Sequence, residues 1–101
     1  MIFNFIWHKN AEITLQEEAS FILEKWNEFE VEKFEYLVLE NLDRLSINPE
    51  IGIFNEELKV FYLVISKQTT LYYDFNKQAK VIEILLFWNN QKNPNDLAKL
   101  L

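Results

Sequence analysis

The sequence predicts an α+β domain: an N-terminal strand, an antiparallel two-helix hairpin packed on an antiparallel sheet of about four strands, and a short C-terminal helix. Three observations predict it. Residues 58–94 read as three strands in a row joined by short polar segments, two apolar stripes at helical spacing meet near Asn27, and residues 2–7 alternate like a strand. All 101 residues fit one domain, because a chain of this length supports one core.

Residues 2–7 set Phe3, Phe5 and Trp7 against Ile2, Asn4 and Ile6, the period-two pattern of a strand with one buried face. Two start signals for a helix follow: Asn10 can cap a turn beginning at Ala11, and Thr14 with Glu17 has the form of a capping box. Ala11, Leu15, Ala19, Ile22 and Trp26 share one face of that helix. Beyond Asn27 the register changes, and Val31, Phe34, Leu37, Val38, Leu42 and Leu45 form a second stripe. Pro49 pushes Asn48 out of the helical region and ends the second helix. Gly52, the only glycine, then marks either a positive φ or a close backbone approach.

In the sheet region, Leu58, Val60, Tyr62 and Val64 alternate with Phe61, Leu63 and Ile65, so both faces of this strand need cover and it reads as central. Thr69 to Phe75 sets Leu71, Tyr73 and Phe75 against Thr70, Tyr72 and Asp74. The last strand sets Val81, Leu85 and Phe87 against Ile82, Ile84, Leu86 and Trp88 in strict alternation. Ser66 to Gln68 and Asn76 to Gln78 are short enough to be hairpin loops. Asn93 as cap, Pro94 at the first helical position and Asp96 in the first turn open the terminal helix, whose face is Leu97, Leu100 and Leu101.

Half of the residues are hydrophobic and 16% are aromatic, a load that drives folding of a chain this short. Ten Lys and Arg against sixteen Asp and Glu leave a net charge of -6, which repels a phosphate backbone and argues against direct nucleic-acid binding. Without cysteine, disulfides and thiolate metal ligands are excluded. His8 is the only histidine, so a serine triad and a histidine-rich metal site are out of reach, and no cofactor or metal is expected. The start MIFNFIW lacks a basic leader and no run reaches the about 18 apolar residues of a membrane span, which makes the cytoplasm the expected location. Tyr72, Tyr73 and Trp88 could stack bases, although aromatics at alternating strand positions more often serve as core. Lys59, Lys67 and Lys92, with Lys77 and Lys80, are the cations near the hairpin ends.

Ala11 at the start of the first helix, NPEIG at 48–52, KVFYLVISKQTTLYYDF at 59–75 and FWNNQKNP at 87–94 together resemble the RelE/ParE superfamily of toxins from type II toxin-antitoxin systems, and in particular its ParE-like plasmid-stabilisation branch. The last segment is similar to a family pattern of Phe, Trp, Asp, Thr, Arg, Gln, Asn and Pro. Phe87, Trp88, Asn93 and Pro94 match it, whereas Asn89 and Gln91 depart from it. The resemblance implies a cytoplasmic toxin neutralised by an antitoxin protein. In the ParE-like branch the implied target is DNA gyrase, poisoned by binding and not by chemistry. Two alternatives stay open: a RelE-like ribosome-dependent messenger RNA endoribonuclease, and a non-toxic interaction module of the same fold. Gln91 stands where a nuclease would carry arginine and the sole arginine, Arg44, lies on the second helix, so no catalytic residue is assigned. The target-binding candidates are Lys59, Lys67, Trp88, Gln91 and Lys92. The antitoxin-binding candidates are Phe21, Phe29 and Tyr36, which lie off the main apolar stripes.

Overall fold

Hairpins dictate most of the sheet. In a computed structural model that describes residues 2–101, β3 (Val60–Val64), β4 (Thr69–Asn76) and β5 (Val81–Asn89) form the antiparallel meander that the alternation predicts. The sheet has five strands and not four, in the order β1-β5-β4-β3-β2. The extra strand is β2 (Ile53–Asn55), three residues long, antiparallel to β3 and at the sheet edge. The sheet is mixed, because β1 (Asn4–Trp7) lies parallel to β5. A tight hairpin forces neighbouring strands antiparallel, but β1 reaches the sheet across two helices and is free of that constraint. The central strand is therefore β4, and β3 is one in from the edge.

The helical layer also keeps its plan and shifts in detail. α1 (Lys9–Lys25) starts after His8, whose backbone is extended and whose side chain caps nothing. The capping box expected at Thr14 is absent: Thr14 lies inside the helix and is buried. Its hydroxyl donates to the Asn10 carbonyl at 2.6 Å and accepts from the Phe87 N–H at 2.9 Å, a polar tie between helix and sheet. The buried face consists of Ala11, Thr14, Glu18 and Ile22, and Trp26, expected on that face, is half exposed as the helix C-cap. α2 (Glu28–Ile47) is capped by Asn27, whose side chain accepts from the Glu30 N–H at 3.0 Å. It buries Phe34, Val38, Asn41, Leu42 and Leu45. With only Trp26 and Asn27 between them, the helices turn back on each other as expected.

One core lies between the helices and one sheet face. It combines Phe3, Ala11, Ile22, Phe34, Val38, Leu42 and Leu45 with Leu71, Tyr73, Ile82, Ile84 and Phe87. The opposite sheet face carries a second cluster of Tyr72, Leu86 and Trp88, closed by Leu97 of the terminal helix α3 (Leu97–Leu100). That helix follows a 3-10 turn, Pro94–Asp96, which Asn93 caps by accepting from the Asn95 N–H at 3.0 Å. Strict alternation in β5 fails at one place. Tyr73 faces Ile84 and Tyr72 faces Leu86, so Leu85 is an extra residue, a β-bulge that switches Phe87 to the helix side.

The hairpin ends lack glycine and use lysine instead. Lys59 and Lys80 have φ of 62° and 57°, the left-handed region. Lys59 ends the turn between β2 and β3, so the first long strand begins at Val60 and not at Leu58. Gly52 does not have a positive φ; its φ is -79°. The close approach is the correct alternative, because a Cβ there would come to 2.6 Å from the Tyr62 carbonyl oxygen and collide with the Tyr73 hydroxyl.

Candidate functional site

Four of the five target-binding candidates come together where β5 leaves the sheet beside the β3–β4 loop. Polar side chains hold that corner in shape. The Asn90 side chain accepts from the Thr70 hydroxyl at 2.8 Å and donates to the Lys67 carbonyl at 3.1 Å, while the Asn90 N–H donates to the Gln68 carbonyl at 2.7 Å. Asn89 accepts from the Gln91 N–H at 2.9 Å through its side chain and from the Lys92 N–H at 3.0 Å through its carbonyl. The two asparagines thus fix the backbone that presents Lys67, Gln91 and Lys92. Trp88 is buried in the second cluster and forms a floor, with the Lys92 ammonium 5.9 Å from its ring. Lys59 is not part of this corner. It lies at the opposite end of β3, exposed and 4.0 Å from Glu56.

Beside the corner a cleft of about 370 Å³ opens between the helical hairpin and the β3–β4 loop, with Ile22, Trp26 and Phe34 on its helix side and Lys33 and Lys67 among its cations. Lys33 is held 3.4 Å from Glu30, whereas Lys67 forms no ion pair among the described residues. The corner can therefore attract an anionic or acidic group through Lys67 and Lys92. Ammonium groups attract such a group without the bidentate orientation a guanidinium gives.

Acid-base chemistry finds little here. Tyr72 and Tyr73 are core residues and not a stacking platform, with Tyr73 fully buried. Burial raises the phenol of Tyr73 to about 12, against a smaller lowering by the Gly52 N–H, and burial followed by the Tyr62 phenol raises that of Tyr72. Both stay neutral at pH 7 and serve as neither base nor nucleophile. His8 is 3.0 Å from Glu83, a partner on β5, and away from the corner. The described residues place no three potential metal ligands together.

Sequence reasoning missed Glu18. Its carboxylate is 3% exposed at residue level and accepts a hydrogen bond from the Thr69 hydroxyl at the start of β4, next to the corner. The signal was present: Ala11, Thr14, Glu18 and Ile22 are spaced three, four and four apart. Counting only apolar residues hid it.

In sequence the chain matches no protein-family model and no curated protein. In structure it is similar to a chain of the toxin-antitoxin complex RelBE2 from Mycobacterium tuberculosis, with a TM-score of 0.61 and 17% identity over 89% of this chain and all of that one. The chain shares its fold with that chain of a toxin-antitoxin complex. The order of elements expected from the alternation and the helical spacing is found in three dimensions, with β2 added. Of the antitoxin-binding candidates, Phe29 and Tyr36 are exposed on α2, and Phe21 is half-buried on α1 with its ring edge-on to Trp26 at 6.5 Å. Among the described residues no helix is long and apolar enough to cross a membrane.

Proposed function

We propose that the chain is the toxin component of a type II toxin-antitoxin pair, ParE-like, acting in the cytoplasm by binding its target and held inactive by a cognate antitoxin. The observation that carries this reading is the fold shared with a chain of a toxin-antitoxin complex. Binding is favoured over cleavage by what surrounds the corner. Gln91 brings no charge to a phosphate, Arg44 is engaged with Asn41 at 2.9 Å on α2, and the buried phenols stay protonated at neutral pH and so supply no base, with the Tyr73 hydroxyl already donating to the Pro49 carbonyl. A net charge of -6 supports a protein target over a nucleic acid. DNA gyrase is the target proposed, and plasmid stabilisation the role.

In this reading Lys67, Gln91 and Lys92 contact the target over the Trp88 floor, Lys59 makes a separate contact, and Phe21, Phe29 and Tyr36 belong to the antitoxin side. The test compares viable counts after induction of the native chain and of the Lys67→Glu, Lys92→Glu double variant. The native chain should arrest growth, co-expression of the product of an adjacent reading frame should restore it, and the double variant should be harmless while still folded. A double variant as toxic as the native chain removes the corner from the target surface.

A further inference from the structure

The net charge of the chain is concentrated in its helical layer: α1 and α2 carry ten of the sixteen carboxylates and only four of the ten cations, while the remaining residues balance. Three of those four cations are engaged, Lys33 with Glu30, Arg44 with Asn41 and Lys25 with the rings of Phe21 and Trp26. At about 100° per residue, Glu35, Glu28, Leu39, Glu32, Tyr36 and Phe29 fall in sequence around one side of α2. That strip is about 140° wide when it is followed round to Glu40. Leu39, Tyr36 and Phe29 are 63%, 67% and 65% exposed, and Glu32, Glu35 and Glu40 form no ion pair among the described residues.

Along the inner border of this strip runs the seam between the helices. Two hollows lie in it, one of about 350 Å³ between Leu15 and Ala19 of α1 and Val38 and Leu39 of α2, and one of about 280 Å³ between Leu23 and Val31. Glu35 borders the first, and Glu28 and Glu32 border the second. The two hollows therefore have an apolar floor and an acidic rim, with no lysine or arginine among the residues that line them, and the α2 cation Lys33 lies at the far border of the strip, 5.6 Å from the Phe29 ring. A second copy of the chain would bring the same acidic rim against it, which like-charge repulsion disfavours.

We propose that the α1–α2 seam is the docking groove for a cationic amphipathic segment of a partner protein, with apolar residues entering the hollows and Lys or Arg set against Glu28, Glu32 and Glu35. The proposal rests on the toxin reading in one respect: the partner it describes is the antitoxin. It adds the chemistry of that partner, a basic segment. Apolar burial supplies the contact area and the carboxylates supply orientation and rate of encounter.

The probes are two synthetic helical peptides of about 15 residues with the same leucine face, one carrying lysines on its flanks and the other glutamates. They are titrated calorimetrically into the full chain at low and at high salt. The lysine peptide should bind, the glutamate peptide should not, and binding should weaken by about tenfold or more between about 0.05 M and 0.5 M salt. Glu32→Gln with Glu35→Gln should weaken the lysine peptide severalfold, and Glu56→Gln with Glu57→Gln, at the far turn, should not. Equal binding of both peptides, or an equal loss in the two variants, overturns the proposal. So does a concentration-dependent dimer that the lysine peptide competes away, which would assign the seam to a second copy. Growth arrest on expression of the chain alone is measured separately. If arrest is seen while the peptide experiment fails, the charge of the partner is wrong and the toxin reading stands; peptide binding without arrest gives the reverse.

Discussion

The hydroxyl of Tyr73 fills the space where Gly52 has no side chain. It accepts from the Gly52 N–H at 3.0 Å and donates to the Pro49 carbonyl at 2.7 Å, so one phenol on the central strand fixes the segment that leads from α2 into the sheet. Gly52→Ala should destabilise the chain by about 1–3 kcal/mol, the range for overpacking. Tyr73→Phe should cost about 1–3 kcal/mol by leaving the N–H and the carbonyl without a partner. In the double variant the two losses should fall short of additivity, because the methyl no longer meets a hydroxyl. Urea denaturation of the four proteins checks the cycle.

The same phenol makes stability depend on alkaline pH. Its folded pKa is raised to about 12 by burial, with the Gly52 N–H acting the other way, and the unfolded value is near 10. A raised folded pKa means that the unfolded chain loses its proton first. The stabilisation is complete below about pH 10 and is lost as pH rises through about 12, at about 1.4 kcal/mol per unit. Midpoints followed from pH 8 to pH 12 should fall steeply above about 10 in the native chain and less steeply in Tyr73→Phe.

Glu18 and Thr69 form a buried pair across the helix–sheet boundary. Thr69→Val strands a carboxylate in the core and should cost about 1–3 kcal/mol or more, whereas the combined Glu18→Met, Thr69→Val variant should recover much of that loss. Thermal unfolding of the single and double variants measures the difference. A double variant less stable than Thr69→Val would show that Glu18 is stabilised by more than this threonine.

Periodicity made the fold legible wherever apolar residues alone define a face. The α2 stripe and the β3–β4–β5 meander are of this kind, while the Asn93–Pro94 start was legible as a cap followed by a proline at the first helical position. It failed where a polar residue belongs to the core, as with Thr14 and Glu18 on α1, because their partners Phe87 and Thr69 are remote in sequence. The Leu85 bulge was hidden for another reason: in a strand apolar on both faces, an extra residue leaves no mark in the alternation. The parallel direction of β1 depends on how the helices route the chain, which no local pattern encodes. Of the residues proposed to contact a target, Lys67, Trp88, Gln91 and Lys92 lie together where β5 leaves the sheet. Lys59 matched by position along the chain and separates from them in space because β3 carries it to the other end.

Lys59 and Lys80 supply positive φ in a chain with one glycine. An L-residue in that region costs roughly 1–2 kcal/mol, so Lys59→Gly, at the exposed turn, should leave stability unchanged or raise it, and Lys59→Val should lower it by about 1–2 kcal/mol. Thermal midpoints of the two variants decide the point. The pair also guides work on Lys59, where Lys59→Asn removes the charge and tolerates the same turn.

The most direct test of a toxin that acts by binding is to express the chain alone and, in the same culture, count colonies and map messenger RNA ends over time. The account predicts loss of colonies without new cuts, relieved by the adjacent frame's product. Undiminished counts would contradict the toxin reading, and ribosome-dependent cuts at reproducible codon positions would contradict the binding mechanism.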